Sequence, residues 1–195
     1  MVDRVPPAAA GADVMLPLPD PDPRRAAILG GGARGAQWAA RFLTAGWEVV
    51  LFDPDPGAGA AVLARFGTMP GHAPGRFQIA ARISEAVAGA LWIGDCVPDR
   101  LALKRKLYQQ VQAHCRPDAV IVATTTTFAV SALQSCATRP GQILAVDATP
   151  AQGDPKVITL HGGKFSRSDR LQATLEILRG LGLTARIGDA EPRTT

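Results

Sequence analysis

The sequence is poor in the residues that form disulfide frameworks and metal centres. Its 195 residues include three cysteines and three histidines, and aromatic side chains make up only 5% of the chain. The cysteines, Cys96, Cys115 and Cys136, are odd in number and lack the spacing of zinc ligands. We therefore expect reduced thiols in a cytoplasmic protein and no metal site.

Long apolar runs and concentrated charge are also absent. Hydrophobic residues make up 47% of the chain, but no continuous apolar stretch reaches the ~20 residues of a membrane-spanning helix. The net charge is +4, and the basic residues are scattered without the interleaved aromatic side chains of a nucleic-acid-binding surface. We interpret these cations, Lys104 among them, as solvated surface, although some could face an anionic substrate. No membrane or nucleic-acid partner is expected.

The most informative feature present is the turn Gly30-x-Gly32-x-x-Gly35. Residues 26–29 before it predict a strand, and residues 36–43 after it predict a helix. In a dinucleotide-binding turn, the first glycine permits the tight bend and the second lets the backbone approach a pyrophosphate. The third glycine allows the helix to pack closely on the strand, and the helix N-terminus attracts phosphate. The alternative is that the glycines serve packing alone.

An acidic residue completes this fingerprint. A second predicted strand, residues 48–52, ends in Asp53, which lies 18 residues after Gly35. The Asp53 carboxylate can accept hydrogen bonds from an adenosine ribose and would repel a 2′-phosphate, so the sequence predicts NAD rather than NADP. Ala33 and Arg34, inside the turn, are predicted to contact the cofactor as well.

Strand and helix patterns alternate along the rest of the chain. Further strands are predicted at residues 91–96, 119–123, 143–146, 157–160 and 183–187. Helices are predicted at residues 58–65, 83–88 and 130–136, from Leu101 through Val111, and from Ser168 to a stop at Gly182. The alternation predicts an α/β fold, a single domain with a Rossmann-type, doubly wound, mostly parallel sheet.

The predicted domain occupies residues 26–190. Residues 1–25 are rich in Pro and Ala, show no periodicity and lack the continuous apolar segment of a signal peptide, so we expect a flexible tail. Residues 191–195 form a short C-terminal tail. Because the C-terminal ends of parallel strands share one edge, we expect Cys96, Val97, Pro98 and Thr124 to line the cofactor site.

Several segments resemble the N-terminal domain of the 3-hydroxyacyl-CoA dehydrogenase family, and its carnitine dehydrogenase branch in particular. They are the glycine turn with residues 37–43 (QWAARFL), residues 49–54 (VVLFDP) and residues 95–107 (DCVPDRLALKRKL). The last of these is similar to the family's paired acidic residues followed by Leu-Lys-x-x-Leu. The resemblance covers residues 26–187 and implies a Rossmann fold, NAD, and oxidation of a 3-hydroxy acid or its acyl thioester.

The sequence departs from the family pattern at the catalytic positions. Where the family has a catalytic His and Glu, this chain has Asp147 and Thr159, while Thr127 matches the active-site Ser and keeps a hydroxyl group. An aspartate is a weak base for an alcohol unless burial raises its pKa. The 195 residues also contain no counterpart of the family's helical C-terminal domain. We take Thr127 and Asp147 as the candidate catalytic residues.

Three functions remain open at this point. The first is an NAD-dependent oxidoreductase with unusual catalytic residues, and the second is an NAD-binding sensor or subunit without dehydrogenase activity. The third is a small Rossmann enzyme that uses Asp147 and Thr127 in another reaction. Because a domain without its helical partner would expose apolar surface, we also expect a homodimer or a partner subunit, with residues 181–187 and the N-terminal tail as candidate contacts.

Overall fold

The structure, a computed structural model, describes residues 24–66, 76–125, 127–147 and 157–188. These residues form one eight-stranded sheet with helices on both faces. The strands are β1 (Arg25–Leu29), β2 (Glu48–Phe52), β3 (Phe77–Ile79), β4 (Trp92–Asp95), β5 (Val120–Ala123), β6 (Ile143–Asp147), β7 (Val157–His161) and β8 (Thr184–Ile187).

Six α-helices connect or follow these strands in the described residues. They are α1 (Ala33–Thr44), α2 (Ala58–Phe66), α3 (Ile83–Val87), α4 (Leu101–His114), α5 (Val130–Gln134) and α6 (Ser168–Gly180). Helix α1 begins three residues earlier than predicted, so Ala33 and Arg34 belong to its first turn. The predicted stop of α6 lies at Gly182, whose φ of 77° is in the left-handed region.

The strand order is β3-β2-β1-β4-β5-β6-β7-β8. All neighbouring pairs are parallel except β6 and β7, which run antiparallel. The direction of winding reverses between β1 and β4, and ligands bind at such a switch point in doubly wound sheets. The predicted doubly wound, mostly parallel sheet is confirmed. It also places the glycine turn, which follows β1, at the switch point.

The sheet separates two apolar cores. Alternation along β1 sends Ala26 and Ile28 toward α1 and α6, and Ala27 and Leu29 toward α3 and α4. The first core contains all three tryptophans of the chain, and in it the rings of Trp38 and Trp92 lie 5.6 Å apart. These aromatic contacts anchor α1 on the sheet directly behind the glycine turn.

Strand β3 was not predicted from the sequence. It has three residues, two of them exposed, and Ile79 keeps 55% of its surface in solvent. A strand this short and this exposed carries no usable alternation of apolar and polar residues. Most of the predicted N-terminal tail and all of the C-terminal tail lie outside the described residues. Within those residues, no helix has both the length and the apolar character needed to cross a bilayer.

Candidate functional site

The glycine turn combines two steric requirements with one open position. Gly30 has a φ of 102°, and a Cβ there would lie 2.9 Å from the carbonyl oxygen of Cys96. A Cβ on Gly35 would run into the carbonyl oxygen of Gly30, so α1 approaches the turn only because Gly35 has no side chain. A Cβ on Gly32 would meet nothing within 4 Å. The first and third glycines are therefore required by the fold, whereas the second leaves room for a ligand.

Asp53 is held next to this turn at the end of β2. Its Oδ2 accepts a hydrogen bond of 2.6 Å from the Gly31 N–H, and its Oδ1 accepts one of 2.8 Å from the Asp55 N–H. A carboxylate has about four lone-pair sites, so two sites remain for the hydroxyl groups of a ribose. The carboxylate is thus oriented by the backbone before any ligand arrives.

A cavity of about 850 Å³ joins the turn to Asp53. Its walls include eight of the residues predicted to bind the cofactor, which are Gly30, Gly32, Ala33, Arg34, Asp53, Cys96, Val97 and Pro98. Sequence reasoning missed the apolar wall formed by Ile83, Leu103 and Leu107 of α3 and α4, because helical spacing alone does not say what a helix faces. Cavity size, the space beside Gly32 and the hydrogen-bonding capacity of Asp53 all fit a dinucleotide.

Thr124 departs from its predicted position, and Cys96 lies where predicted but has an unreactive thiol. Thr124 is 2% exposed, and its hydroxyl donates to the Asp95 carbonyl oxygen at 2.8 Å, so it lies beneath the cavity and does not line it. Cys96 lines the cavity, but burial raises the pKa of its thiol to about 12. The Cys96 thiol therefore stays protonated and is a poor nucleophile near neutral pH.

A buried ionic network fixes the loop that follows β4. Lys104 Nζ donates to Asp95 Oδ2 at 2.9 Å and to the Val97 carbonyl oxygen at 3.2 Å, and the Tyr108 hydroxyl donates to the same Asp95 oxygen at 2.6 Å. Lys104 and Asp95 are both fully buried, so the interpretation of Lys104 as solvated surface is wrong. Burial and the nearby Asp95 raise the pKa of Tyr108 well above its ordinary value. The network joins α4 to the end of β4 and leaves none of these groups free for chemistry.

A second, more open cluster lies at the ends of β4 and β5. Asp99 Oδ2 accepts a hydrogen bond of 3.2 Å from the Thr127 hydroxyl and lies 3.7 Å from Arg34 Nη2, while Lys104 Nζ is 3.5 Å from Asp99 Oδ1. Burial by itself would raise the pKa of Asp99. Hydrogen bonds from Thr125 and Thr127, with the charges of Lys104 and Arg34, hold it below its ordinary value. Asp99 is therefore ionised and orients the candidate active-site hydroxyl of Thr127.

Asp147 and Thr159 face each other across the antiparallel pair β6 and β7. Two residues earlier, Ala145 pairs with Ala123 of β5, so Asp147 leaves the sheet at the same edge as Thr124 and Thr125, which follow β5. On the other side, Arg186 Nε donates to Thr159 Oγ1 at 3.4 Å. The register thus brings together the two positions at which the resemblance implies a His and a Glu.

No histidine occupies either position. His161 lies on β7 opposite Ala145, two residues from Thr159, and is 8% exposed. His114 ends α4, which begins at the ligand edge and runs to the opposite edge of the sheet. His72 lies outside the described residues.

The turn after β1, the acid at the end of β2 and the cavity between them define a dinucleotide-binding domain of the doubly wound class. Residues 25–153 match the family described as 3-hydroxyacyl-CoA dehydrogenase, NAD binding domain. The chain belongs to the 3-hydroxyacyl-CoA dehydrogenase family, which confirms the predicted resemblance and NAD as its cofactor.

Similar sequences include carnitine dehydrogenases. The chain is 39% identical over 167 residues to an L-carnitine dehydrogenase/betainyl-CoA thioesterase of Ruegeria pomeroyi, a match that covers 80% of this chain and 34% of that protein. It is 32% identical over 167 residues to an L-carnitine dehydrogenase of Pseudomonas aeruginosa, covering 80% of this chain and 52% of the relative. The match thus spans about a third of the first relative and about half of the second.

Similar solved structures support the fold. A diketoreductase has a TM-score of 0.78 and 20% identity, with 88% of this chain and 66% of that chain covered. A 3-hydroxybutyryl-CoA dehydrogenase of Escherichia coli has a TM-score of 0.72 and 18% identity, with 84% of this chain and 38% of that chain covered. At these identities the similarity shows a shared fold alone.

Proposed function

We propose that this domain binds NAD(H) and supplies the cofactor half, with part of the substrate half, of an oxidoreductase acting on a 3-hydroxy acid or its acyl thioester. The observation that carries the proposal is the continuity of one edge of the sheet. The cavity beside Gly32 and Asp53 opens next to Asp99, which is hydrogen-bonded to Thr127. A cofactor and a small alcohol can therefore lie side by side along this edge.

The cofactor half acts mainly through the backbone. The N–H groups at the start of α1 bind the pyrophosphate, and the absence of a side chain at Gly32 allows the approach. Asp53 accepts hydrogen bonds from the adenosine ribose and disfavours a 2′-phosphate by charge repulsion. When bound, NAD supplies the acceptor for the hydride released by the alcohol carbon.

The substrate half acts through side chains. The Thr127 hydroxyl donates its hydrogen to Asp99 and accepts a hydrogen bond of 3.0 Å from the Thr125 hydroxyl. A hydroxyl oxygen has two lone pairs, so one remains on Thr127 to accept a hydrogen bond from the hydroxyl group of a substrate alcohol. Asp147 is the candidate base for that hydroxyl proton. Since Thr159 receives a hydrogen bond from Arg186, its own hydrogen is available to orient the facing Asp147. This pairing replaces the His–Glu dyad at the same two positions.

A second candidate is an NAD-binding sensor or subunit without turnover, or an enzyme that uses Asp147 and Thr127 in a different reaction. The observation in its favour is the chemistry of the dyad positions. An aspartate lacks the near-neutral pKa that makes histidine an effective general base, and a threonine cannot stabilise a cation as glutamate does.

We also propose that a second copy or a partner subunit covers the exposed face of β7 and β8. In the described residues, the core on the side of α3, α4 and α5 includes no residue of these two strands. Val157 on that face is 58% exposed. A cytoplasmic location is proposed because Cys96, Cys115 and Cys136 are all free thiols.

Calorimetric titration with NADH and NADPH tests the cofactor half. We expect NADH to bind more tightly than NADPH. Asp53→Ala should weaken NADH binding by about 1–3 kcal/mol and reduce the difference in affinity between NADH and NADPH. Tighter binding of NADPH, or no binding of either at millimolar concentration, would refute the proposal. NADH formation with short and long 3-hydroxyacyl-CoAs and with carnitine then tests the substrate class.

A further inference from the structure

The side chain of Arg34 occupies a position that the fingerprint does not explain. Arg34 is the second residue of α1, lines the cavity and keeps 40% of its side chain exposed. Its Nη1 donates to the Thr124 carbonyl oxygen at 2.8 Å, and its Nη2 lies 3.7 Å from Asp99 Oδ2. The side chain thus reaches from the glycine turn to the ends of β4 and β5.

This position lies on the path of a bound dinucleotide. The pyrophosphate belongs at Gly32, and the reactive ring must lie next to Thr127, which is hydrogen-bonded to Asp99. The Arg34 side chain runs between these two points, so a dinucleotide bound along this edge must contact it or displace it.

The present partners of Arg34 can be exchanged for others. Its hydrogen bond is to an uncharged carbonyl oxygen, and its separation from Asp99 exceeds hydrogen-bonding distance. Asp99 keeps the Thr127 hydroxyl and the nearby Lys104 ammonium when Arg34 moves away. Rotation of Arg34 therefore leaves no carboxylate without a partner.

The charges around the turn indicate what Arg34 would meet instead. The first turn of α1 contains no acidic residue, and no side chain caps its N–H groups. The described residues that line the cavity include two cations, Arg34 and Lys106, and Lys106 lies on the separate α4 wall. Arg34 is the cation in the same helical turn as the phosphate-binding N–H groups, and a planar guanidinium can pair with two phosphate oxygens at once.

We propose that Arg34 is a side-chain ligand of the cofactor pyrophosphate, which it engages by exchanging the Thr124 carbonyl and Asp99 for phosphate oxygens. The inference rests on the proposed function, since it requires that this cavity bind NAD(H). It adds to the backbone contacts of the fingerprint a charged contact that reaches toward the reactive end of the cofactor.

Binding measurements on Arg34→Met, with Arg179→Met as a matched control, test the proposal. Arg179 is an exposed residue of α6, so its replacement removes the same charge from a different surface. NADH, ADP-ribose and adenosine serve as probes, each at low and at high NaCl concentration. We expect Arg34→Met to lower the affinity for NADH and for ADP-ribose about tenfold or more, which is the usual effect of losing a charge-assisted hydrogen bond. Adenosine, which has no phosphate, should be unaffected.

Further outcomes separate the alternatives. The proposal is overturned if ADP-ribose affinity in Arg34→Met stays within about twofold of wild type, or if NADH binds more tightly because an obstacle has been removed. It is also overturned if Arg179→Met causes the same loss. If Arg34→Met does not fold, Arg34→Lys replaces it, because lysine keeps the charge but lacks the planar guanidinium. The proposal then requires Arg34→Lys to lower the affinity for ADP-ribose and to leave the affinity for adenosine unchanged. If wild type itself binds no nucleotide, the proposed function has failed.

Discussion

The cofactor end and the substrate end of this edge are built from different kinds of groups. At the turn after β1, a ligand meets backbone N–H groups and the space left by an absent side chain at Gly32. In the proposed function, the substrate end at the edge formed by β5, β6 and β7 uses the side chains of Thr127, Asp147 and Thr159. A site made of backbone is fixed by the fold, whereas a site made of side chains can change its chemistry while the backbone stays the same. The β6–β7 register still places Asp147 opposite Thr159.

The largest effect is expected at the backbone site. Gly32→Val should abolish measurable NADH binding, because the added side chain fills the space that we assign to the pyrophosphate. Folding should be nearly unaffected, since a Cβ at Gly32 meets no protein atom within 4 Å. Calorimetry and thermal unfolding check both parts. Gly180→Val is the matched control, because Gly180 is equally open and lies at the end of α6. Retained NADH affinity in Gly32→Val would show that the pyrophosphate lies elsewhere.

The next effect sharpens the substrate side of the comparison. If Asp147 is the base, Asp147→Asn should lower turnover by ~10²–10⁴-fold, the usual contribution of general base catalysis, and leave NADH affinity unchanged. Steady-state rates and calorimetry on the same preparation measure the two quantities. Asp118→Asn provides a control, because Asp118 is paired with Arg116 away from this edge. Unchanged turnover in Asp147→Asn would remove Asp147 from the mechanism.

The third effect concerns the buried network of Lys104, Asp95 and Tyr108, and we expect it in the stability of the protein. Lys104→Met leaves the buried Asp95 carboxylate without its cation, and breaking a buried pair in this way costs about 3–5 kcal/mol in the free energy of unfolding. Urea unfolding measures the change. Lys106→Met, two residues along α4 and exposed, should be nearly neutral. A loss in Lys104→Met as small as that in Lys106→Met would show that the buried network contributes little to stability.

The smallest effect concerns Asp99. Its pKa in the folded protein is below the ordinary value, so its contribution to stability is present above the unfolded pKa and is lost as pH falls through the folded pKa. Wild type should therefore lose stability between about pH 4 and more acidic values. Asp99→Asn should lose less over the same interval, as measured by urea unfolding at each pH. Parallel pH profiles would contradict the lowered pKa of Asp99 in the folded protein.

The two ends also differ in how far the sequence predicts them. Spacing alone predicts the positions of Gly30, Gly32, Gly35 and Asp53, because sterics and strand alternation leave few alternatives there. The buried state of Lys104 was not predictable from its charge, since it depends on Asp95 and Tyr108, which meet only when α4 packs on β4. The contacts of Arg34 were missed for the same reason, since Asp99 and Thr124 are distant from it in sequence. Strand β3 was missed because three mostly exposed residues show no usable alternation.

The aromatic core behind the glycine turn gives the molecule an internal optical reporter. Trp38, Trp47 and Trp92 are each at most 5% exposed and belong to one cluster with Phe42. No tryptophan lines the cavity in the described residues. Indole emission should therefore be that of a dry environment and shift only when the layer under α1 opens. Because this emission overlaps the absorption of reduced nicotinamide, energy transfer across the sheet would register NADH binding without any added label.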